Sequence, residues 1–244
     1  MTKYLPFTLL LFFLSCKSGK EESKALNLRP YYYPLEKLTE GLVYEYIDEN
    51  TGQISDYWLF RLVKDDAGDK FLISTGYNAK GEQTQYSREW VVANGTILKD
   101  YKFYTTDSTS GKSIVSETKI EENIIFPFSP TKDSTEKYRL RLIFSILPDT
   151  ALKYDMVKDR YYAGDTLISF LNQKEKVAHF KAREYFVLED KVNGGHWKTS
   201  SEIDEFYAQN IGLVYSYKKV ADTELKRKLN KILSVEEFNA RFKK

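Results

Sequence analysis

The chain has 244 residues, of which 42% are hydrophobic and 30% charged, enough apolar material for one large domain. Lys and Arg number 37 against 35 Asp and Glu, a formal net charge of +2. That near-neutral balance excludes the electrostatic footprint of a nucleic-acid-binding protein and gives no bias toward acidic substrates. Aromatic residues reach 15%, with 19 Tyr and 15 Phe, and aromatic side chains favour strands because they fit a pleated, half-buried surface. The single cysteine, Cys16, has no partner for an internal disulfide.

Lys3 gives a short basic start, and Leu5 to Leu14 is apolar apart from Thr8. A membrane-spanning helix needs about 20 apolar residues, so this stretch reads as the core of a signal peptide. It ends in Phe13-Leu14-Ser15-Cys16, which resembles the lipobox of bacterial lipoproteins of the Bacteroidota type, with Phe13 where Leu is usual. The resemblance implies a signal peptide over 1–15, cleavage before Cys16, lipidation (palmitate) of Cys16, and an outer-membrane lipoprotein on the periplasmic or cell-surface side. Each buried methylene of such an anchor contributes about 0.8 kcal/mol. Residues 16–30 are too polar to bury a face and read as a tether. Lys20-Glu21-Glu22 resembles a surface-export signal and reads equally well as solvated linker charge.

From Tyr31 onward the chain reads as a β domain, 31–219. Turn signals recur at Asn50-Thr51-Gly52, Asp66-Ala67-Gly68, Lys80-Gly81, Asn94-Gly95 and Ser110-Gly111. Between them lie short runs rich in aromatic and β-branched residues: Leu42 to Ile47, Tyr57 to Val63, Lys70 to Tyr77, Tyr86 to Val92 and Thr96 to Tyr104. This is the pattern of an antiparallel meander. Tyr138 to Ile146 alternates apolar with Arg139, Arg141 and Ser145, the period of a half-buried strand. Met156 to Tyr162, Thr166 to Leu171, Lys176 to Leu188, His196 to Phe206 and Gly212 to Tyr217 follow, with a hairpin at Asn193-Gly194-Gly195. Residues 220–244 change period. Leu225, Leu229, Ile232 and Leu233 predict an amphipathic helix capped by Asp222, and Ser234 with Glu237 predicts a second, short one burying Phe238 and Phe242.

Chemistry-bearing patterns are sparse. His179 and His196 each lack a spaced partner, whereas a transition-metal site needs three or four ligands. No Gly-x-Ser-x-Gly elbow occurs, and Cys16 lies outside the folded part. The expectation is therefore no catalytic, metal or cofactor residues and no enzyme. Four Asp-Ser/Thr tripeptides match the O-glycosylation pattern of Bacteroidota, with acceptors Ser108, Ser134, Thr150 and Thr166; the same pairs are ordinary turn chemistry. Tyr31-Tyr32-Tyr33 reads first as a cap on an open sheet end, and second as a sticky contact with a partner or membrane.

The segment Glu205-Phe206-Tyr207-Ala208-Gln209-Asn210-Ile211-Gly212-Leu213-Val214-Tyr215-Ser216-Tyr217 is similar to a strand pair found in exported proteins that look like the half-barrel of the lipoprotein carriers LolA and LolB. Phe206 stands for Trp and Asn210 for the first Gly of that pattern; Asn tolerates positive φ. The resemblance implies one curved antiparallel sheet, or incomplete barrel, wrapping an apolar trough, with C-terminal helices. The expected function is a non-catalytic envelope lipoprotein binding a lipid or other apolar ligand. The alternative is a scaffold or accessory subunit docking another envelope protein by a sheet edge or its aromatic end.

Overall fold

The computed structural model describes residues 26–107, 110–130, 137–170 and 173–243. Cys16, Ser108 and Ser134 lie outside the described residues.

The turn signals become hairpins. Between β1 (Leu42–Asp48) and β2 (Ile54–Lys64), the Asp48 carboxylate accepts hydrogen bonds from the amides of Asn50 and Thr51 at 2.7 and 3.3 Å. Asp65 does the same before β3 (Lys70–Asn78), and Asn78 before β4 (Gln83–Val92). Such Asx turns let a short side chain replace a ladder bond at the bend. β5 (Gly95–Thr106), β6 (Ser113–Pro127), β7 (Tyr138–Phe144), β8 (Leu152–Phe170), β9 (Gln173–Asp190), β10 (His196–Ala208), β11 (Gly212–Val220) and β12 (Thr223–Leu233) continue the meander. Each pairs antiparallel with the next. β12 then pairs with β1, from Val43↔Leu233 to Asp48↔Arg227, so the sheet closes into a barrel.

The mainly β, curved antiparallel architecture is as the sequence predicts, and it goes further than a half-barrel: both end strands are paired with each other. Two local readings are corrected. The first predicted C-terminal helix, within 220–244, is strand β12. Its ladder to β1 skips Asn230, a bulge between Lys231 opposite Glu45 and Leu229 opposite Tyr46. A bulge switches which face the following side chains take. Leu229 therefore packs inside the barrel and Leu233 packs outside it, under the terminal helix. Apolar positions four apart mimic a helix period for this reason. Strand β6 is one the sequence did not announce: it carries no apolar alternation, its buried positions include Ser116, and three of its residues are Glu. The two strands predicted over 156–162 and 166–171 are one, β8, irregular at Gly164 in its ladder to β9.

The short C-terminal helix α1 (Val235–Phe242) forms as the capping box predicts: Ser234 accepts from the Glu237 amide and the Glu237 side chain accepts from the Ser234 amide. It lies on the outer wall, where Phe238 and Phe242 pack on Tyr57, and Phe238 also on Tyr77. Arg241 there pairs with Glu45, which is 2% exposed.

The core lies inside the barrel and is closed at one end by the N-terminal segment. Two 3₁₀ turns, Arg29–Tyr31 and Leu35–Lys37, carry it across the end where β1 begins. Backbone bonds tie it down: Leu28 to Phe128, Leu62 to Leu38, and Asn210 to Pro30. Tyr31 and Tyr32 are buried, and Tyr33 stacks on Phe60 at 4.0 Å. This is the cap reading of the tyrosine run. Asn210 takes φ of 57°, as the turn demands. Gly212 follows at φ 102°, where a Cβ would stand 2.5 Å from the Tyr33 ring. The turn of the recognised strand pair is thus built to receive the plug.

Candidate functional site

Period two along each strand decides which side chains enter the lumen. On β8, Met156, Lys158, Arg160 and Tyr162 share the inner face; on β10, Ile203, Glu205 and Tyr207 do. Beneath the plug Lys158, Arg160, Glu205 and Tyr207, with Trp58, Phe60, Leu98, Phe126 and others, enclose a cavity of about 280 Å³. Most of its wall is aromatic or aliphatic. Phe126 contacts Tyr32, Phe180 and Tyr207 at ring separations of 5.1 Å each.

Charged groups sit within this apolar wall, and Arg160, Glu205 and Glu89 are each less than one-tenth exposed. Glu205 is the hub. Lys158 Nζ donates to its Oε1 at 2.5 Å, Arg160 Nε lies 3.0 Å from its Oε2, and the Tyr207 hydroxyl donates to Oε2 at 3.3 Å. The Arg160 contact is an ion pair whose angle falls short of a hydrogen bond. Burial pushes the Glu205 carboxyl up, but Arg160 and Lys158 outweigh it and hold the group down at about 2. The Arg160 guanidinium lies 4.4 Å from the Phe180 ring centre, a cation–π contact, and Nη1 donates to the Ile125 carbonyl at 2.5 Å. Its Nη2 has no hydrogen-bond partner among the described residues.

Across the lumen, Glu89 accepts from the Tyr32 hydroxyl at 2.7 Å and from Thr96 at 2.9 Å. Burial raises its pKa, and these hydrogen bonds and Arg160 offset that only in part. Arg227 makes a two-point pair with Asp56 at 2.8 and 2.7 Å and stacks 3.6 Å from the centre of the Tyr46 ring. Asp56 also accepts from the Trp58 indole at 2.6 Å.

The wall is broken beside the cavity. β6 pairs with β7 only as far as Asn123↔Leu140, and its next residues pair with β5 at Ile97↔Ile124 and Thr96↔Phe126. Past Asn123 the Ile125 carbonyl is taken by Arg160 in place of a β7 amide. Ile124, Ile125, Tyr138 and Leu140 at this break all line the cavity, and Ile124 is 46% exposed.

None of the lumen charges was singled out by sequence reading, except that Glu205 opens the recognised strand pair. The signal was present as alternation: Lys158 and Arg160 share parity with Met156, and Glu205 with Ile203 and Tyr207. The residues singled out from sequence lie elsewhere. His179 is on the outer wall, 2.6 Å from Asp204 and stacked on Phe206 at 4.5 Å. His196 is exposed at the start of β10. Thr150 is exposed in the β7–β8 connection, while Thr166 is half-buried within β8 opposite Val177. Arg227, on β12, points inward onto Tyr46 and Asp56. Among the described residues no group of three or more His, Cys, Asp or Glu is placed to hold a metal, and no helix is long and apolar enough to cross a membrane.

The sequence matches no family model and no curated protein. Two solved structures are similar in fold. One is a candidate lipoprotein of Parabacteroides distasonis, 11% identical, covering 84% of this chain and 97% of its own, with a TM-score of 0.48. The other is a candidate exported protein of Bacteroides fragilis with a YmcC-like fold, 13% identical, covering 86% of this chain and 99% of its own, with a TM-score of 0.47.

Proposed function

We propose that this chain is a lipid-anchored protein of the cell envelope, held at the outer membrane through Cys16, whose barrel binds a small hydrophobic ligand without chemical turnover. The observation that carries the reading is the cavity beneath the N-terminal plug, walled by Trp58, Phe60, Leu98, Phe126 and Tyr207 and bordered by the β6–β7 break. Small-molecule sites are concave, mostly apolar and marked by a few placed polar groups. Size narrows the ligand. The cavity falls just below the range of about 300–1,000 Å³ usual for such sites. An apolar cavity of about 150 Å³ holds one benzene, so this one takes a body of about two rings or a short acyl chain. The three acyl chains of a lipoprotein do not fit, which separates the reading from transport of a whole lipoprotein anchor. A non-catalytic role is supported by the commitment of the lumen carboxylates: Glu205 to two donors and the Arg160 ion pair, Glu89 to two hydroxyls, Asp56 to Arg227 and Trp58, and Glu184 to Lys218.

Both surfaces named for a docking role are used internally, since the end strands pair with each other and the tyrosine run is buried. The described body begins at Leu26, ten residues after Cys16, a span of at most about 35 Å. The plugged end, where the chain enters, therefore stays near the membrane in this reading.

The test is a titration with N-phenyl-1-naphthylamine, an uncharged amine joining a naphthyl and a phenyl group, whose fluorescence rises in apolar surroundings. Saturable one-to-one binding is expected, and Ser74→Phe, which fills the cavity from β3, is expected to abolish it while circular dichroism stays unchanged. Binding that survives Ser74→Phe in a folded protein rejects the cavity as the site.

A further inference from the structure

We infer that the ligand of this cavity carries one negative charge, and that its anionic head is received by the unpartnered Nη2 of Arg160 beside Lys158. The inference rests on the cavity reading above and names the chemical class of its occupant: a compact apolar body bearing a single carboxylate, sulfonate or phosphate-like head.

The argument is one of unmet capacity. A buried polar group costs free energy unless it is hydrogen-bonded, and a buried charge more so. Arginine offers donors only, and the planar guanidinium of Arg160 carries five N–H groups on three nitrogens. Nη1 is taken by the Ile125 carbonyl and Nε faces Glu205, while Nη2 is buried and without a hydrogen-bond partner among the described residues. The faces of the Phe126, Phe180 and Tyr207 rings attract the cation but accept no strong hydrogen bond, and the Tyr207 hydroxyl, which donates to Glu205, interacts with the guanidinium as well.

Charge points the same way. Lys158 and Arg160 share one carboxylate, Glu205. Arg227 is neutralised by its two-point pair with Asp56. Glu89 is drawn by burial toward its uncharged form. Among the described residues the only carboxylate in ion-pair contact with Lys158 and Arg160 is Glu205, so cationic donors outnumber it at this part of the wall. Ser74 Oγ, also on the lining, lacks a partner as well, and its hydroxyl can donate to such a head. A cationic or purely acceptor-seeking ligand would find the carboxylate oxygens already occupied.

The probe pair that isolates the head is 1-anilinonaphthalene-8-sulfonate and N-phenyl-1-naphthylamine, which share rings and differ by the sulfonate. A hydrogen bond to a charged group contributes enough to predict about tenfold or tighter binding of the sulfonate. In Arg160→Gln the ratio of sulfonate to neutral-probe affinity is expected to shrink to about twofold or less. Should Arg160→Gln fail to fold, the wild-type comparison decides alone. Octanoate is expected to displace the sulfonate probe and inorganic phosphate, at equal concentration, to leave it bound. Equal or weaker binding of the sulfonate overturns the anionic head while leaving the cavity intact. Displacement by phosphate as effective as by octanoate overturns the amphiphile in favour of a free ion. Failure of both fluorescent probes sinks the underlying cavity reading instead.

Discussion

Glu205 is where the interior charges balance. Removing its charge leaves Lys158 and Arg160 buried over a neutral amide. Breaking a buried pair by deleting one partner costs about 3–5 kcal/mol, so Glu205→Gln is expected to lose at least about 3 kcal/mol in urea unfolding. The acid limb of stability should carry the same signature. A carboxyl held at about 2 against an ordinary 4.5 contributes stability that is full above the unfolded value and lost as pH falls toward 2. That shift is worth on the order of 3 kcal/mol. The wild type should lose stability steeply below pH 4.5, and Glu205→Gln should lack that part of the slope. Glu89 has the opposite sign. Its carboxyl is raised in the folded state, so its contribution is complete below the unfolded carboxylate range and declines as pH climbs through the folded value. Glu89→Gln keeps an acceptor for Tyr32 and Thr96 and carries no charge. It is expected to be at least as stable as wild type at pH 8, and a clear loss there would show Glu89 to be a needed anion.

At the scale of elements, the sequence was most legible where chemistry is local. The Asx and glycine turns, the alternation of β7 and the capping box of α1 each declare themselves within a few residues. Ser234→Ala should therefore cost about 1 kcal/mol, the usual worth of an N-cap. Phe238→Ala should cost about 3 kcal/mol, since it opens the aromatic cluster with Tyr57 and Tyr77. Differential scanning calorimetry of both variants checks the order of the two losses. What the sequence hid has a common cause: positions that break simple alternation. The bulge at Asn230 moves Leu229 and Leu233 to opposite sides of the wall, so β12 imitates a helix. The inner face of β6 carries Ser116 and Thr118 beside Ile120, so its strand has no greasy stripe to read. The lumen charges were hidden because a charged side chain is presumed to face water, whereas a barrel with a ligand cavity places Lys158, Arg160 and Glu205 inside. Closure itself was not legible, because it depends on β1 meeting β12 across the whole chain.

On the scale of the whole molecule, the outer wall says which solvent the barrel meets. Mid-strand outward positions on β7 to β10 include Arg139, Arg141, Asp155, Asp159, Lys181, Arg183, Glu202 and Asp204, many joined in ion pairs such as Arg141–Asp155 at 2.7 Å. A membrane-spanning barrel presents an apolar band there, and Lys or Arg at the bilayer midplane costs about 2–4 kcal/mol each. The body from Leu26 onward is thus expected to stay monodisperse without detergent and to remain below the vesicles in a flotation gradient, while the chain lipidated at Cys16 floats. Flotation of the unlipidated body would assign membrane affinity to the barrel wall and not to the anchor.

The central claim is that the barrel interior, under the N-terminal plug, is a ligand site. A crystal soaked in bromobenzene, read by bromine anomalous scattering, tests it without assuming any head group. The account predicts one dominant peak inside the barrel among Phe60, Leu98, Phe126 and Tyr207, and its loss in Ser74→Phe. A dominant peak on the outer face near Trp197, or an interior without bromine at saturating soak, would contradict it.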